Sequence, residues 1–344
     1  MDKTIDVIGI GDALVDISSK VSDAFYKAQA AVTPMSRGKF TRVDTPTSKA
    51  IYNSIAKLDP PPLITTGGSV VNSVVGVASF GGVSAMIGRV GDDAFGQFFA
   101  REMQADNVIP CLSQDQDGHV TGSCIILVTD DGERTMNSHA GAAGLISVSD
   151  IEQHKANIQS AQVLLLAGYQ FNSAAQRQML NHAADIARTS DTAVAFTVAS
   201  ERCISDNRAE MMKFLADGKV QILFANEGET KTLANIDDFE KAVGIVSALC
   251  ETVVTTCGAS GAIVSHKGQR IHVSAGEIDA LVDTTGAGDQ YAAGFLYGYT
   301  HGHSVEQSAR LGALAAAEIV QVMGPRPPAP YRQLLQKLNQ PSQP

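Results

Sequence analysis

The sequence predicts an α/β protein: a central, mainly parallel sheet with helices on both faces, plus a small β-rich lid. Three observations predict it. From about residue 62 onward, short β-branched runs alternate with helical patterns. A hydrophobic fraction of 44% with 18% charged residues supplies a sizeable core, unlike a disordered or coiled chain. Two stretches, 13–61 and 109–141, leave that rhythm, and such excursions from one sheet suggest a lid. The length of 344 residues exceeds one ordinary core, yet composition does not shift along it. The expectation is one large domain (1–12, 62–108 and 142–344) carrying a small lid domain from 13–61 and 109–141.

The first strand is Ile5–Ile10, followed by Gly11-Asp12-Ala13-Leu14-Val15-Asp16. Gly122–Val128 and Arg134–Ser138 look like lid strands. Val163–Ala167, Ala193–Val198, Gln221–Ala225 and Thr252–Thr256 read as buried strands, with helices near 173–188, 206–217 and 238–250. Strand–helix alternation at this spacing implies parallel pairing with both faces covered. Ligands of such sheets bind at the carboxyl ends of the strands. The late apolar stretch from Leu311 to Met323 is interrupted by Glu318 and Gln321, so it reads as a buried helix and not a membrane span.

A net charge of −10 with scattered Lys and Arg argues against a nucleic-acid partner. It leaves room for a nucleotide, because Mg²⁺ and backbone N–H groups can neutralise phosphates locally. Cys111, Cys124, Cys203, Cys250 and Cys257 form no C-x-x-C pair, which fits reduced thiols. Met-Asp-Lys-Thr-Ile-Asp at the start has neither a basic nor a long apolar leader region. The expectation is a cytoplasmic protein with no membrane partner.

Four stretches could carry chemistry. Asp283-Thr284-Thr285-Gly286-Ala287-Gly288-Asp289 turns tightly into a helix beginning near Gly288. The N–H groups and dipole at that start could hold an anionic group in transfer, with Asp289 beside it to accept a proton. A helix cap after a glycine turn would explain the same residues. Gly67-Gly68-Ser69-Val70-Val71-Asn72-Ser73 also enters a helix. Its glycine pair permits close approach, and Asn72 offers donors and an acceptor for hydroxyls. Asn226 and Glu229 share a helix-start face after Gln221–Ala225 and could hold the water shell of Mg²⁺, or simply cap the helix. Thr256-Cys257-Gly258-Ala259-Ser260-Gly261 could let a nucleotide lie against backbone, or be a hairpin into Ala262–Ser265.

Their order decides between these readings. Asp16, Gly67-Gly68…Asn72, Asn226-x-x-Glu229, Thr256-x-Gly258 and the 283–289 stretch, in that sequence, resemble the ribokinase-like family of carbohydrate and nucleoside kinases, often called PfkB. The resemblance covers nearly the whole chain, and the 283–289 motif is its most specific part. No Walker A, G-x-G-x-x-G, H-R-D, D-F-G or H-E-x-x-H motif competes.

The resemblance implies a ribokinase-like fold and ATP-dependent phosphoryl transfer to an alcohol. Asp289 would be the catalytic base, with Gly286, Ala287 and Gly288 as the anion hole. Asp16, Gly67, Gly68 and Asn72 would grip the acceptor, and Arg134 would come from the lid toward the phosphates. Asn226, Thr256, Gly258 and Gly261 would line the ATP site, and Asn226 with Glu229 would position Mg²⁺ through water. Asp283 and Thr285 match the positions that hold a monovalent cation, K⁺, in many members. The Gly-Gly-Ser-x-x-Asn-Ser helix entry at 67–73, the long stretch from Asp16 to Gly67 and the opening Gly11–Ile17 resemble the adenosine kinase branch. Asp12 departs from that branch, where Asn is common. The implied reaction is phosphorylation of the primary 5′-hydroxyl of a nucleoside, adenosine to AMP, with a fructokinase- or ribokinase-type sugar kinase as the alternative. Tyr169, Phe171 and Phe40 are the candidate faces for a base. The partners would be the small-molecule substrates, with the protein a monomer or homodimer.

Overall fold

The computed structural model describes residues 2–338. Its strands are β1 (Ile5–Ile10), β2 (Leu14–Lys20), β3 (Phe40–Arg42), β4 (Leu63–Gly67), β5 (Ser84–Val90), β6 (Val108–Gln114) and β7 (Gly122–Val128). There follow β8 (Arg134–His139), β9 (Ala161–Ala167), β10 (Ala193–Thr197), β11 (Ile222–Asn226), β12 (Thr252–Thr256), β13 (Ala262–His266) and β14 (Gln269–Val273). A nine-stranded sheet has the order β14-β13-β12-β11-β10-β9-β1-β5-β6, and a five-stranded sheet the order β3-β8-β7-β2-β4. Pairing in the large sheet is parallel from β12 to β6, and β13 and β14 add an antiparallel edge.

The large sheet is apolar on both faces, as parallel strands under helices must be. Ile8, Ile10, Leu164, Leu166 and Phe196 join one core, while Val7, Val163, Leu165 and Ala195 point through to the other. Residues one apart thus serve opposite cores, the period-two rule of a pleated strand. The small sheet has its own core of Val15, Ile17, Ile51, Ile55, Ile125 and Leu127.

Two boundaries differ from the sequence expectation. Leu63–Gly67, assigned to the large domain, pairs antiparallel with β2 and belongs to the small sheet. Val108–Gln114, assigned to the lid from 109 onward, pairs parallel with β5 throughout. Pro110 disguised it. A proline removes a ladder donor, which a strand at the end of the sheet order tolerates. The helix expected from 206 starts at Glu201, because the Ser200 side chain caps it by accepting from the Cys203 N–H. Asn207 kinks that helix and bonds back to the Cys203 carbonyl at 3.1 Å. All five cysteines are free, and among the described residues no helix is long and apolar enough to cross a membrane.

Three helices set the geometry of the cleft at the carboxyl ends of the parallel strands. Ser69–Phe80 crosses Ala287–Thr300 where Gly76 faces Gln290 and Ala293. Ala287–Thr300 in turn lies on Val305–Ile319 at Gly294, where an added Cβ would sit 2.5 Å from the Leu311 carbonyl oxygen. Backbone cannot yield there as a side-chain tip can. Replacing Gly294 by Ala should cost about 1–3 kcal/mol in urea unfolding. Gly244→Ala, in the helix Phe239–Ser247 with nothing within 4 Å of the new methyl, should stabilise by about 0.5–1 kcal/mol. Equal effects at the two sites would contradict this packing.

Candidate active site

Asp289 lies in the first turn of the helix Ala287–Thr300. That helix starts at Gly286 with φ +79 and receives no side-chain cap, although the Ala287 N–H donates to the Thr284 carbonyl at 3.2 Å. A Cβ at Gly288 would meet nothing within 4 Å, so this turn faces open space. Opposite stands the helix Ser69–Phe80, which starts at Gly68 with φ +108 and is also uncapped. Its Ser69 hydroxyl donates to Asp289 Oδ1, and the Asn72 amide donates to Oδ2 at 2.8 Å. Burial pushes the Asp289 carboxyl up, and these two bonds with the Arg326 charge work against that.

One wall is a cavity of about 640 Å³. Asn226, Glu229, Thr256, Gly258, Gly261, Gly286, Ala287, Gly288 and Asp289 all line it, so the structure gathers residues spread over 64 positions of the chain. Its far end is apolar: Ile278, Leu281, Ala313, Ala316, Ala317 and Val320. Asn226 and Glu229 form a reciprocal capping box, with Glu229 Oε2 accepting from the Asn226 N–H and Asn226 Oδ1 from the Glu229 N–H, each at 2.8 Å. Glu229 Oε1 and Asn226 Nδ2 lie outside that box. Burial, together with the charges of Glu201 and Asp289, pushes the Glu229 carboxyl up. Thr256 to Gly261 is indeed the turn of a hairpin between β12 and β13, and the hairpin is what brings it to the cavity. Gly261 needs its missing side chain: φ is +86, and a Cβ would lie 2.0 Å from the Val273 carbonyl oxygen.

On the other side of Asp289 the cleft floor is polar. Gly67 brings its backbone against the Asp16 carboxylate, 2.2 Å from where a Cβ would be. Burial raises the Asp16 pKa to about 6, against the lowering charges of Arg326 and Arg134. Asp12 accepts from the Gln170 amide at 3.0 Å, and burial pushes it up too. Asn72 Oδ1 and Gln170 Oε1 are buried without a protein partner, and a polar ligand could satisfy both. Asn72 thus spends one of its two amide N–H groups on Asp289, leaving the other and its side-chain carbonyl oxygen for a ligand.

Arg134, at the start of β8, reaches the 283–289 turn and donates to Asp283 Oδ2 at 2.7 Å and Thr285 Oγ1 at 2.8 Å. Of the candidate aromatics, Phe171 is core, packed on Phe196 and Phe214 with centroids 5.7 and 5.6 Å away. Tyr169 is 36% and Phe40 52% exposed. Arg42 is close enough to lower Asp12, and Phe40, two residues earlier on β3, shares its face.

Arg326 escaped the sequence reading. Its Nη2 donates to the Thr66 carbonyl at 2.7 Å and to the Thr66 hydroxyl, and its charge acts on Asp16 and Asp289. Nη1 is buried without a hydrogen-bond partner and lies 4.0 Å from Asp106 Oδ2. The only signal was one Arg inside Gly324-Pro325-Arg326-Pro327-Pro328, a tract that reads as a loop. The Ile278 and Leu281 wall was equally hidden in a segment without regular structure.

The chain belongs to the pfkB family of carbohydrate kinases, whose family model matches residues 52–332. It is a phosphotransferase with an alcohol group as acceptor, in a family that uses ATP, typically with Mg²⁺. The crystal structure of adenosine kinase from Sinorhizobium meliloti is similar at 32% identity and a TM-score of 0.86, covering 97% of this chain and 99% of that one. The structure of a probable sugar kinase from Rhizobium etli CFN 42 matches equally, with 32% identity and a TM-score of 0.86 over 98% and 99%. Ribokinase from Haemophilus influenzae is 29% identical over 78% of this chain and 86% of its own length.

Asp16 yields a test whose sign follows from its pKa. The folded state binds its proton more tightly than the unfolded chain, whose value is 3.8. Asp16 therefore costs nothing near pH 4, and its cost grows as pH rises through about 6. Asp16→Asn should melt higher than the parent at pH 8, with the gap closing toward pH 4. A gap independent of pH would remove the buried charge from the account.

Proposed function

We propose that this kinase transfers the γ-phosphoryl group of Mg·ATP to the primary 5′-hydroxyl of a nucleoside, with adenosine as the principal acceptor. ATP occupies the cavity with its adenine toward Ile278 and Leu281 and its phosphates at the uncapped start of Ala287–Thr300. Asn226 and Glu229 hold Mg²⁺ through its water shell, and Mg²⁺ supplies positive charge to the phosphate oxygens. Thr256, Gly258 and Gly261 shape the wall beside the nucleotide.

Asp289 is the base. Ser69 and Asn72 fix its orientation, and its raised proton affinity suits uptake of a proton from a hydroxyl as attack proceeds. Backbone N–H groups at Gly286, Ala287 and Gly288 stabilise charge developing on the transferred group. Asp16 accepts from the ribose hydroxyls, with Gly67 and Gly68 allowing the sugar close to backbone, and Arg326 Nη1 donates to the same ligand.

The observation that carries the nucleoside reading is Phe40, an exposed aromatic on the face of β3 that also approaches Asp12. An exposed phenyl ring is suited to stacking on a base. The adenosine kinase likeness along nearly the whole of both chains agrees with it. A sugar acceptor is the second reading, favoured by the equal likeness to the probable sugar kinase and by the ribokinase relative.

An ADP-release assay across nucleosides and sugars decides between them. Adenosine should exceed ribose and fructose in kcat/KM by about a hundredfold or more, as expected when a base supplies additional binding. Phe40→Ala should erase much of that margin by raising KM. A preference for a free sugar would overturn the reading. Asp289→Asn should lower kcat by about 10²–10⁴-fold while nucleotide affinity holds. Arg326→Met should raise acceptor KM. It should also move the acidic limb of kcat/KM to higher pH, because it removes a charge that lowers Asp16.

A further inference from the structure

The family resemblance places a monovalent cation on Asp283 and Thr285, but these residues do not fit one here. Asp283 Oδ1 accepts from the Thr285 N–H at 2.9 Å and the Thr285 hydroxyl at 2.7 Å. Its Oδ2 accepts from Arg134 Nη1 at 2.7 Å and the Gly324 N–H at 3.0 Å. A carboxylate offers about four lone-pair directions, and four protein donors take them. The Thr285 hydroxyl is used twice, donating to Asp283 and accepting from Arg134 at 2.8 Å. The Asp283 side chain is 10% exposed and that of Arg134 25%, so solvent screens the pair only weakly. Burial alone would push the Asp283 carboxyl up, but the Thr285 and Gly324 donors and the Arg134 charge more than reverse this and hold it below its usual range.

We propose that the Arg134 guanidinium replaces the monovalent cation, so that the anion hole of this kinase is charged by its own chain and turnover needs no K⁺. An arginine is suited to the substitution. Its Nη1 carries two N–H groups, and one nitrogen thus reaches the carboxylate and the hydroxyl together. Asp283 and Thr285 sit in the turn that leads into Gly286, so charge held there acts directly on the uncapped helix start. Arg134 belongs to the small sheet, whereas Asp283 is joined to the large domain, so the charge arrives only with the small sheet in place. Its charge also lowers Asp16. The proposal concerns the anion hole alone, so it stands or falls apart from the identity of the acceptor.

The test compares the parent protein with Arg134→Met in potassium, sodium or choline chloride at one ionic strength. It reads turnover on the best acceptor of the panel and, separately, thermal unfolding without nucleotide. The parent should vary by less than about twofold in turnover among the salts and show no potassium-specific rise in melting temperature. Arg134→Met should lose about 10²-fold or more in choline, the size expected for a missing anion-hole charge. Potassium should restore part of that activity and raise the variant's melting temperature above the choline value. Arg134→Lys, which keeps a charge on the same strand, should remain indifferent to potassium. Potassium activation of the parent, or a potassium-specific rise in its melting temperature, would overturn the proposal. So would an Arg134→Met protein with full turnover in choline, or one whose loss potassium neither repairs nor registers in melting.

Discussion

The site depends on one carboxylate held between two helix starts. Asp289 lies where Ser69–Phe80 and Ala287–Thr300 converge, and both helices begin on a positive-φ glycine with no side-chain cap. A buried carboxylate without partners would be costly and would take up a proton. Ser69 and Asn72 each give it a hydrogen bond, and both come from the opposing helix. The same contact therefore fixes the position of that carboxylate and the crossing of two core helices. Gln290 reinforces it, donating to the Asn72 carbonyl at 3.0 Å and the Pro325 carbonyl at 2.9 Å. That second bond ties the Pro-rich loop, and hence Arg326, to the catalytic helix.

Around that carboxylate the two halves of the cleft have opposite character. The nucleotide side ends in small and aliphatic side chains, where packing can select a flat ring without charge. The acceptor side holds Asp12, Asp16 and Asp289, faced by Arg326, Arg42 and Arg134. Carboxylates and orphan amide oxygens accept hydrogen bonds, so this floor selects a ligand rich in hydroxyls. The arginine charges oppose the burial that raises Asp12, Asp16 and Asp289.

Much of this was legible in the sequence because the strands and motifs are local. Val163–Ala167 and Thr252–Thr256 are continuous β-branched or aliphatic runs, and the residues after each fall at the strand ends where a doubly wound sheet binds ligands. What was not legible depends on distant pairing. Nothing in Leu63–Gly67 announces that it crosses to the small sheet, since its partners in β2 lie about fifty positions away. Nothing in Asn72 announces that its amide meets Asp289, 217 positions on. Arg134 was placed correctly on a strand, but only the folded chain shows its guanidinium on Asp283, 149 positions on.

These long-range contacts divide the labour between the two sheets. The large sheet and its helices supply the base and the nucleotide wall from segments that follow one another closely in the chain. The small sheet supplies Asp16 from β2, Gly67 from β4 and Arg134 from β8, residues that meet only when its strands are in register. Because side chains alternate along a strand, a one-residue slip between β7 and β8 would turn Arg134 to the opposite face. The same slip would strip Asp283 of its guanidinium partner. Register in the small sheet therefore controls both the charge at the anion hole and the floor that receives the acceptor. The polar floor of the cleft accordingly draws on both parts of the molecule, with Asp16 and Gly67 from the small sheet and Asp12, Asn72 and Arg326 from outside it.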